Sequence, residues 1–551
     1  MLPMLAIGGV LVGLTAVIDG AAKRIGLPAS IMLVIVGTLL SFVPAMPRVA
    51  VNPDLLLLLF LPPLLYAAGV GMSWRGFRSN LRPILLLAIG CVLFTASAVA
   101  GAAHWLVGLP WAVAFVLGAV VSPPDPVAPM AIARRLGLPS RLMTVLEGEG
   151  LVNDATALIL FNFALAAVAV GAVDLAAAAG KFLVIIAGEL VWGIGIGWAT
   201  LRLRAWAKDA QVEIALSLLT PYLAFWIPHA LGGSGVLAAV AAGLYVSWNG
   251  PRFIAPATRL QGYFVWGSVV HLFEGLVFLL TGLQAQTIAN GLNSHAAGSH
   301  GWARSVAAAV LISAVVIMVR FMWVFAATYL PRWLFASIRR HDPYPAWQEP
   351  VFIGFTGIRG VVSLAAALSI PYTMGDASFP YRNLILFVTF VVIVVTLVGQ
   401  GSLLPWVIGR LGLANAGTAE AAEARTREVQ ARIAGVDAAL VALDGLATGG
   451  AAPAAVAALR RRHGDRRKEY AGTADSRIVG SPVADDARLQ ALLVTAERRK
   501  IAELYAAGAI TDDARRRIER ELDLEDARNR HALESATGDQ LADPEVEAGG
   551  A

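Results

Sequence analysis

Three groups of polar residues interrupt otherwise apolar runs, and their types and spacing point to ion chemistry. The first is Ser122-Pro123-Pro124-Asp125-Pro126. Prolines at three of four positions cannot continue a helix, because each removes an N–H donor and clashes with the preceding turn. The chain is expected to break there, with an aspartate inside the break. The second group is Glu147-Gly148-Glu149-Gly150-Leu151-Val152-Asn153-Asp154. Glu147 and Asp154 lie two helical turns apart and share a face, whereas Glu149 points elsewhere. Asp154 has no basic residue within a turn. A lone carboxyl group in apolar surroundings can hold a proton or, once ionised, a small cation, and that choice is the minimum machinery for exchange. The third group is Gly354-Phe355-Thr356-Gly357-Ile358-Arg359-Gly360-Val361-Val362-Ser363, where three glycines weaken the helix around a single arginine. Arginine does not shed its charge, so a buried carboxylate is expected to face Arg359. Glu149 is the preferred partner and Asp125 the second choice.

The elements that must position these groups are membrane-spanning helices. Of 551 residues 57% are hydrophobic and 15% charged, against about 25% charged in soluble domains. A span needs roughly 20 mostly apolar residues, and that ruler gives thirteen candidates between residues 3 and 409. The polar groups fall in the fifth (110–132), sixth (142–171) and twelfth (350–371). Taken alternately, one set of loops carries sixteen Lys and Arg and the other four, counting Arg48 with Lys181, Arg304 and Arg382 at span edges. The richer set belongs to the cytoplasm, which places the N-terminus outside and the charged tail inside. Spans five and twelve are an odd number apart, so spans one to six and eight to thirteen form candidate inverted repeats whose fifth members are both broken, the pattern of transporters. The expected class is an all-α polytopic membrane protein, with a transmembrane domain over 1–412 and a helical cytoplasmic tail over 413–551.

Other function classes fit poorly. Residues 1–413 carry a net charge of +9 and the remainder −4, but the bases sit in short loops rather than one patch, which argues against nucleic-acid binding. Cys91 is the only cysteine and allows no intrachain disulfide. The first twenty residues lack a basic n-region and cleavage site and read as a retained span. No HExxH, P-loop, GxSxG or paired Cys/His pattern is present, and Gly375-Asp376 lacks the context of an intramembrane aspartyl protease. In the tail, Asp485 to Asn529 alternates acids and bases at spacings for intrahelical pairs. Thr511-Asp512 reads as a helix start after Gly508, and residues 445–456 as an Ala/Gly-rich linker. Gly193, Gly195 and Gly197 suit close helix packing. Glu213, His229, His271, Glu274 and Arg320 are also intramembrane, each either a structural pair or part of an ion path.

At these residues the sequence resembles the monovalent cation/proton antiporters, which include the bacterial and animal sodium/proton exchangers. The likeness rests on SPPDPVAPMAIARRLGLPSRLMTVLEGEGLVNDATALILF from Ser122, SGVLAAVAAGLYVS from Ser234, GIRGVVSLAAALSIP from Gly357 and LPPLLYAAGVGMSWRGFR from Leu61. It covers about residues 1–412. The resemblance implies an ion site made by Asp154 with Asn153, near crossed, unwound segments holding Asp125 and Arg359. It also implies a Glu149–Arg359 bridge, one-for-one electroneutral exchange from the Asn-Asp form of the site, and a homodimer. On this reading Asp154 binds Na⁺ or Li⁺ in alternation with H⁺ across the cell membrane, without cofactor or ATP, and serves pH homeostasis. Ser122 and Asn153 orient or ligate, Asp125 caps the broken ends, and Glu147, Thr356 and Ser363 support the site. Several positions depart from the family pattern. Gly150 replaces a common Ser and Pro124 a common Thr, Ala67 and Ala68 occupy a region where some members carry an acid, and His229 and Glu274 stand where Glu and Asn are common. These changes bear on cation choice, so a K⁺/H⁺ antiporter on the same scaffold is the alternative; a cation channel would need a continuous wet path.

Overall fold

A backbone inside a bilayer has no hydrogen-bond partner but itself, so apolar runs of this length fold as helices. The computed structural model describes residues 2–44, 56–171, 175–293, 301–374, 377–449, 452–475, 482–507, 515, 518–519 and 521–527. Arg48, Gly375-Asp376 and the helix start expected at Gly508 and Thr511-Asp512 lie outside them.

The chain opens with α1 (Leu2–Ile25), α2 (Ala29–Ser41), α3 (Leu56–Gly71), α4 (Trp74–Ser79) and α5 (Leu81–Val107). The fifth apolar run is two helices, α6 (Trp111–Val121) and α7 (Val127–Arg135), followed by the long α8 (Ser140–Val170). Then come α9 (Leu175–Ala207), α10 (Ala210–Ala230), α11 (Val236–Phe253), α12 (Pro256–Leu283), α13 (Ala285–Asn293), α14 (Trp302–Leu334) and α15 (Ala336–His341). The twelfth run is also split, into α16 (Gln348–Phe355) and α17 (Val361–Leu368). A two-residue hairpin, β1 (Thr373–Met374) with β2 (Ala377–Ser378), leads to α18 (Arg382–Leu411). Among the described residues α5, α8, α9, α10, α12 running on into α13, α14 and α18 are seven helices long and apolar enough to cross a membrane, with α2, α3 and α6 shorter apolar helices.

Both interruptions fall where the sequence removes helix-forming capacity. Pro123, Pro124 and Pro126 separate α6 from α7, and Gly357 and Gly360 separate α16 from α17. Helix α8 runs unbroken past both, with Glu149, Asn153 and Asp154 all buried. The largest apolar core draws chiefly on α3, α5, α6, α8, α11, α14, α17 and α18. Elsewhere α9 lies against α11 through Gly193 and Gly197, where a Cβ would strike Ala238 and Ala242. Gly195 does not serve this packing, since no atom lies within 4 Å of where its Cβ would be. One turn apart on a helix sets the contact face, and Gly195 falls between the two contacting turns.

Met1–Thr418 and Ala419–Ala551 form two compact units. The second contains most of α19 (Leu413–Thr448), with α20 (Pro453–Asp475) and α21 (Pro482–Ala506). Arg467 pairs with Asp437 at 2.6 Å and Arg460 with Asp444, joining α20 to α19. The linker expected over 445–456 is much shorter. Gly445 to Thr448 complete α19 and Pro453 already opens α20, because alanine favours helix wherever nothing opposes it.

Candidate functional site

The two interruptions meet face to face. Asp125 donates its backbone N–H to the Ile358 carbonyl at 2.7 Å, so the break after α6 is bonded to the break after α16. Each break exposes helix ends whose carbonyls or amides have lost their partners and carry partial charge. Arg359, fully buried at 0% exposure, serves the carbonyl ends. Its Nε donates to Val121 O at 3.0 Å, its Nη2 to Ser122 O at 3.3 Å, and its Nη1 to Gly357 O. Asp125 serves the amide ends. Its carboxylate accepts the Val127 N–H at 2.9 Å. Gly360 makes this approach feasible, since a Cβ there would fall inside the Asp125 carboxylate.

The expected Glu149–Arg359 bridge is absent. Glu149 instead forms a two-pronged pair with Arg320 of α14, Nη1 to Oε1 at 2.6 Å and Nη2 to Oε2 at 2.9 Å. Both side chains are at most 3% exposed. The premise that a buried guanidinium requires a carboxylate fails at Arg359, because the unpaired carbonyls at the C-terminal end of α6 supply the negative partner.

Asp154 stands beside this crossing. It lines a cavity of about 1000 Å³ together with Pro124, Asp125, Gly150 and Ser363. No hydrogen bond or ion pair engages its carboxylate among the described residues, and Asp125 lines the same cavity. Asn153, one residue earlier, donates Nδ2 to Pro124 O at 2.6 Å and so ties α8 to the unwound segment, while its Oδ1 has no partner. Ser363 lines the cavity with an unpartnered hydroxyl. Gly150 is where the ring of Pro126 rests, and a Cβ there would collide with it. Serine is thus excluded by the same proline that breaks the helix.

Other expected groups fall elsewhere. The Ser122 hydroxyl donates to Ala119 O at 2.9 Å and the Thr356 hydroxyl to Ile353 O at 2.9 Å, so neither hydroxyl reaches the cavity as a ligand. Each sits in a last helical turn, where the nearby carbonyl is the closest acceptor. Glu147 lines the cavity but pairs with Arg134 at 2.6 Å. His271 approaches Asp19 at 3.4 Å, and His229 stacks on Phe225. Glu274 lines the cavity from α12 without a partner among the described residues. The chain also holds polar groups that apolar patterning passed over. Glu189 of α9, 2% exposed, accepts the backbone N–H groups of Ser234, Gly235 and Leu237 and the Ser234 hydroxyl, capping α11 from a neighbouring helix. The Ser234-Gly235 start of a helix was the only signal for it. Among the described residues no three His, Cys, Asp or Glu side chains cluster to hold a resident metal.

Comparison with known proteins identifies the fold and the family. The transmembrane sodium/hydrogen exchanger family matches residues 10–409. An uncharacterised Na⁺/H⁺ exchanger of Mycobacterium tuberculosis is 36% identical over 516 residues, covering 92% of each chain. A sodium, potassium, lithium and rubidium/H⁺ antiporter of Bacillus pumilus is 33% identical over 69% of this chain and 57% of its own length. Among solved structures, the sodium proton antiporter MjNhaP1 of Methanocaldococcus jannaschii superposes with a TM-score of 0.58 at 17% identity, over 75% of this chain and 99% of that one. Helices broken at mid-run, a lone carboxyl group beside their crossing and a match across nearly all the apolar part lead to one conclusion: this chain is a multi-pass membrane protein of the sodium/hydrogen exchanger family, whose members are cation/proton antiporters.

Proposed function

We propose that this protein exchanges Na⁺ or Li⁺ for H⁺, one for one, by alternating access, with Asp154 holding proton and cation in turn. The observation that carries the reading is the Asp154 carboxylate, buried, facing the cavity and without a cationic partner. A carboxylate with a fixed guanidinium beside it would have no need of a guest, whereas Asp154 must be neutralised by one. Asn153 positions the unwound segment, Ser363 and the carbonyls of the break supply further oxygens, and Asp125 with Arg359 neutralises the helix ends so that the crossing does not compete for the ion. Glu149 with Arg320 fastens α8 to α14. Thirteen spans with inverted repeats, an external N-terminus, a tail in the cytoplasm and a homodimer complete the proposal. The cavity reaches Arg134 and Arg259, on the side that loop charge assigns to the cytoplasm, which supports reading this conformation as inward-open.

A second reading, K⁺/H⁺ exchange, is favoured by one observation: a hydroxyl at 150 is sterically excluded by Pro126, leaving fewer short, hard ligands for the smaller cations. Proteoliposomes with a preset pH gradient and a clamped membrane potential distinguish the two, through proton movement on addition of Na⁺, Li⁺ or K⁺. The Asp154→Asn variant is expected to abolish every cation-driven response while remaining folded and monodisperse. A variant that still moves protons on addition of Na⁺ would remove Asp154 from the mechanism.

A further inference from the structure

Helix α8 touches the broken segment and α7 at three levels, one helical turn apart. Asn153 donates to Pro124 O, Gly150 carries the Pro126 ring, and Glu147 meets Arg134. The first two contacts close the inner end, whereas the third is an ion pair at the outer one. The two helices also turn matching stripes toward the cavity. Val127, Met130, Ala131 and Arg134 line it from α7, and Glu147, Gly150, Leu151 and Asp154 from α8, each set at the i, i+3, i+4, i+7 spacing of one helical face. A rise of about 1.5 Å per residue puts Glu147 about 10 Å from Asp154 along α8. Of the four carboxylates lining the cavity, Asp125, Glu147, Asp154 and Glu274, only Glu147 is paired with a base among the described residues. The other bases on the wall, Arg204, Arg259 and His271, make no ion pair with any of the four. The Glu147 pair is built to open. Its side chains are 68% (Arg134) and 29% (Glu147) exposed and share a single bond of 2.6 Å, whereas Glu149 and Arg320, at most 3% exposed, are joined by two.

We propose that Glu147 receives the monovalent cation before Asp154 does, and that Arg134 is the resident competitor the cation displaces. The inference rests on the proposed exchange at Asp154 and adds an outer station to it. Swinging the arginine aside costs little, since an exposed ion pair contributes little to stability. Its backbone stays in place meanwhile, because the neighbouring Arg135 donates Nη1 to Gly26 O at 2.7 Å and holds the end of α7. The vacated carboxylate then faces the same stripe of α8 as Asp154. A carboxylate near the mouth concentrates cations there, and a fixed guanidinium beside it opposes them. Removing the guanidinium therefore raises cation occupancy at the outer station, and removing the carboxylate lowers it. A pair that only fastened α7 to α8 would behave otherwise: loss of either partner would weaken the same contact, and both losses would act in one direction.

The test titrates NaCl and, separately, KCl into everted membrane vesicles carrying the full-length protein, which turn the face bearing Arg134 to the bath on the orientation proposed above. Collapse of an imposed pH gradient is followed by a fluorescent amine, with Asp154→Asn as the blank. Arg134→Gln is expected to lower the apparent KM for the cation by about twofold to fivefold, the range an exposed ion pair allows. Glu147→Gln is expected to raise it by a similar factor, with the rate at saturating cation changing less than KM. Arg134→Lys, which keeps the charge, is expected to stay near the wild-type value, as a competitor requires. Either single variant suffices if the other is not recovered, because each has its own required sign. Shifts of both variants in one direction, or no shift in either, overturn the outer station and leave exchange at Asp154 standing. A wild type that responds to neither cation overturns both.

Discussion

Removing Arg320 alone should do more damage than removing the pair it belongs to. Arg320→Met leaves Glu149 ionised and buried, with its two charge-assisted hydrogen bonds of 2.6 and 2.9 Å gone. Breaking a buried pair from one side costs about 3–5 kcal/mol, whereas replacing both partners with apolar groups of similar volume is close to neutral. For a unit of 418 residues, an unfolding entropy of about 2.1 cal/mol/K per residue converts that cost to a fall of roughly 3–6 °C in melting temperature. Heating the detergent-solubilised protein and measuring the surviving monodisperse fraction by size exclusion gives the value directly. Glu149→Leu combined with Arg320→Met should recover most of the loss, a coupling that a double-mutant cycle reads out. If Arg320→Met is as stable as wild type, or the double variant is no better than the single one, the pairing does not hold α8 to α14. Arg359 offers the contrast: its acceptors are backbone carbonyls, so changing Glu149 should leave its bonds intact.

Three more expectations follow from the same geometry. Gly360→Ala places a methyl group inside the Asp125 carboxylate and should abolish exchange in proteoliposomes even where protein is recovered; full activity would mean the two breaks are not in fixed contact. Glu189→Ala strands three backbone N–H groups and a hydroxyl at the start of α11 and should cost at least about 2 kcal/mol in thermal stability, with unchanged melting counting against the cap. Asp342, in the loop after α15, accepts hydrogen bonds from Arg332 at 2.6 Å and Arg141 at 2.8 Å. Burial alone would raise its carboxyl, but those arginines outweigh it and hold it below the usual carboxylate range. A depressed value contributes stability above the unfolded pKa of about 3.9, lost as pH falls through the folded one. Wild type should therefore lose thermal stability below about pH 4 more steeply than Asp342→Asn, and superimposed profiles would refute the contribution.

The breaks were legible because proline and glycine act locally: Pro123, Pro124 and Pro126 stop a helix whatever surrounds them, and the glycines around Arg359 weaken one. The isolation of Asp154 was legible for a related reason, the absence of any base within a turn. The partner of Arg359 was not, because helix-end carbonyls carry no letter of their own, and a rule that pairs side chain with side chain passes over them. Arg320 could be seen as intramembrane, but nothing in its neighbours on α14 points to Glu149, 171 positions away. Glu189 was hidden inside a long apolar run whose function as a cap depends on how α9 meets α11. The hydroxyls of Ser122 and Thr356 show the same limit, since a polar letter near a site does not reveal which way its side chain turns.

On the proposed exchange mechanism, the solitude of Asp154 also bears on the state in which nothing is bound. Arg359 and Asp125 have their counterparts built into the crossing, so on the proposed mechanism an unladen, ionised Asp154 would be a bare charge carried through dry protein during a switch between the two faces, at a cost of about several kcal/mol. Loaded with either proposed passenger it would be neutral, and that obstacle would vanish. On that mechanism the empty protein would be held still, and slippage of one gradient without the other would be suppressed by the absence of a neighbour.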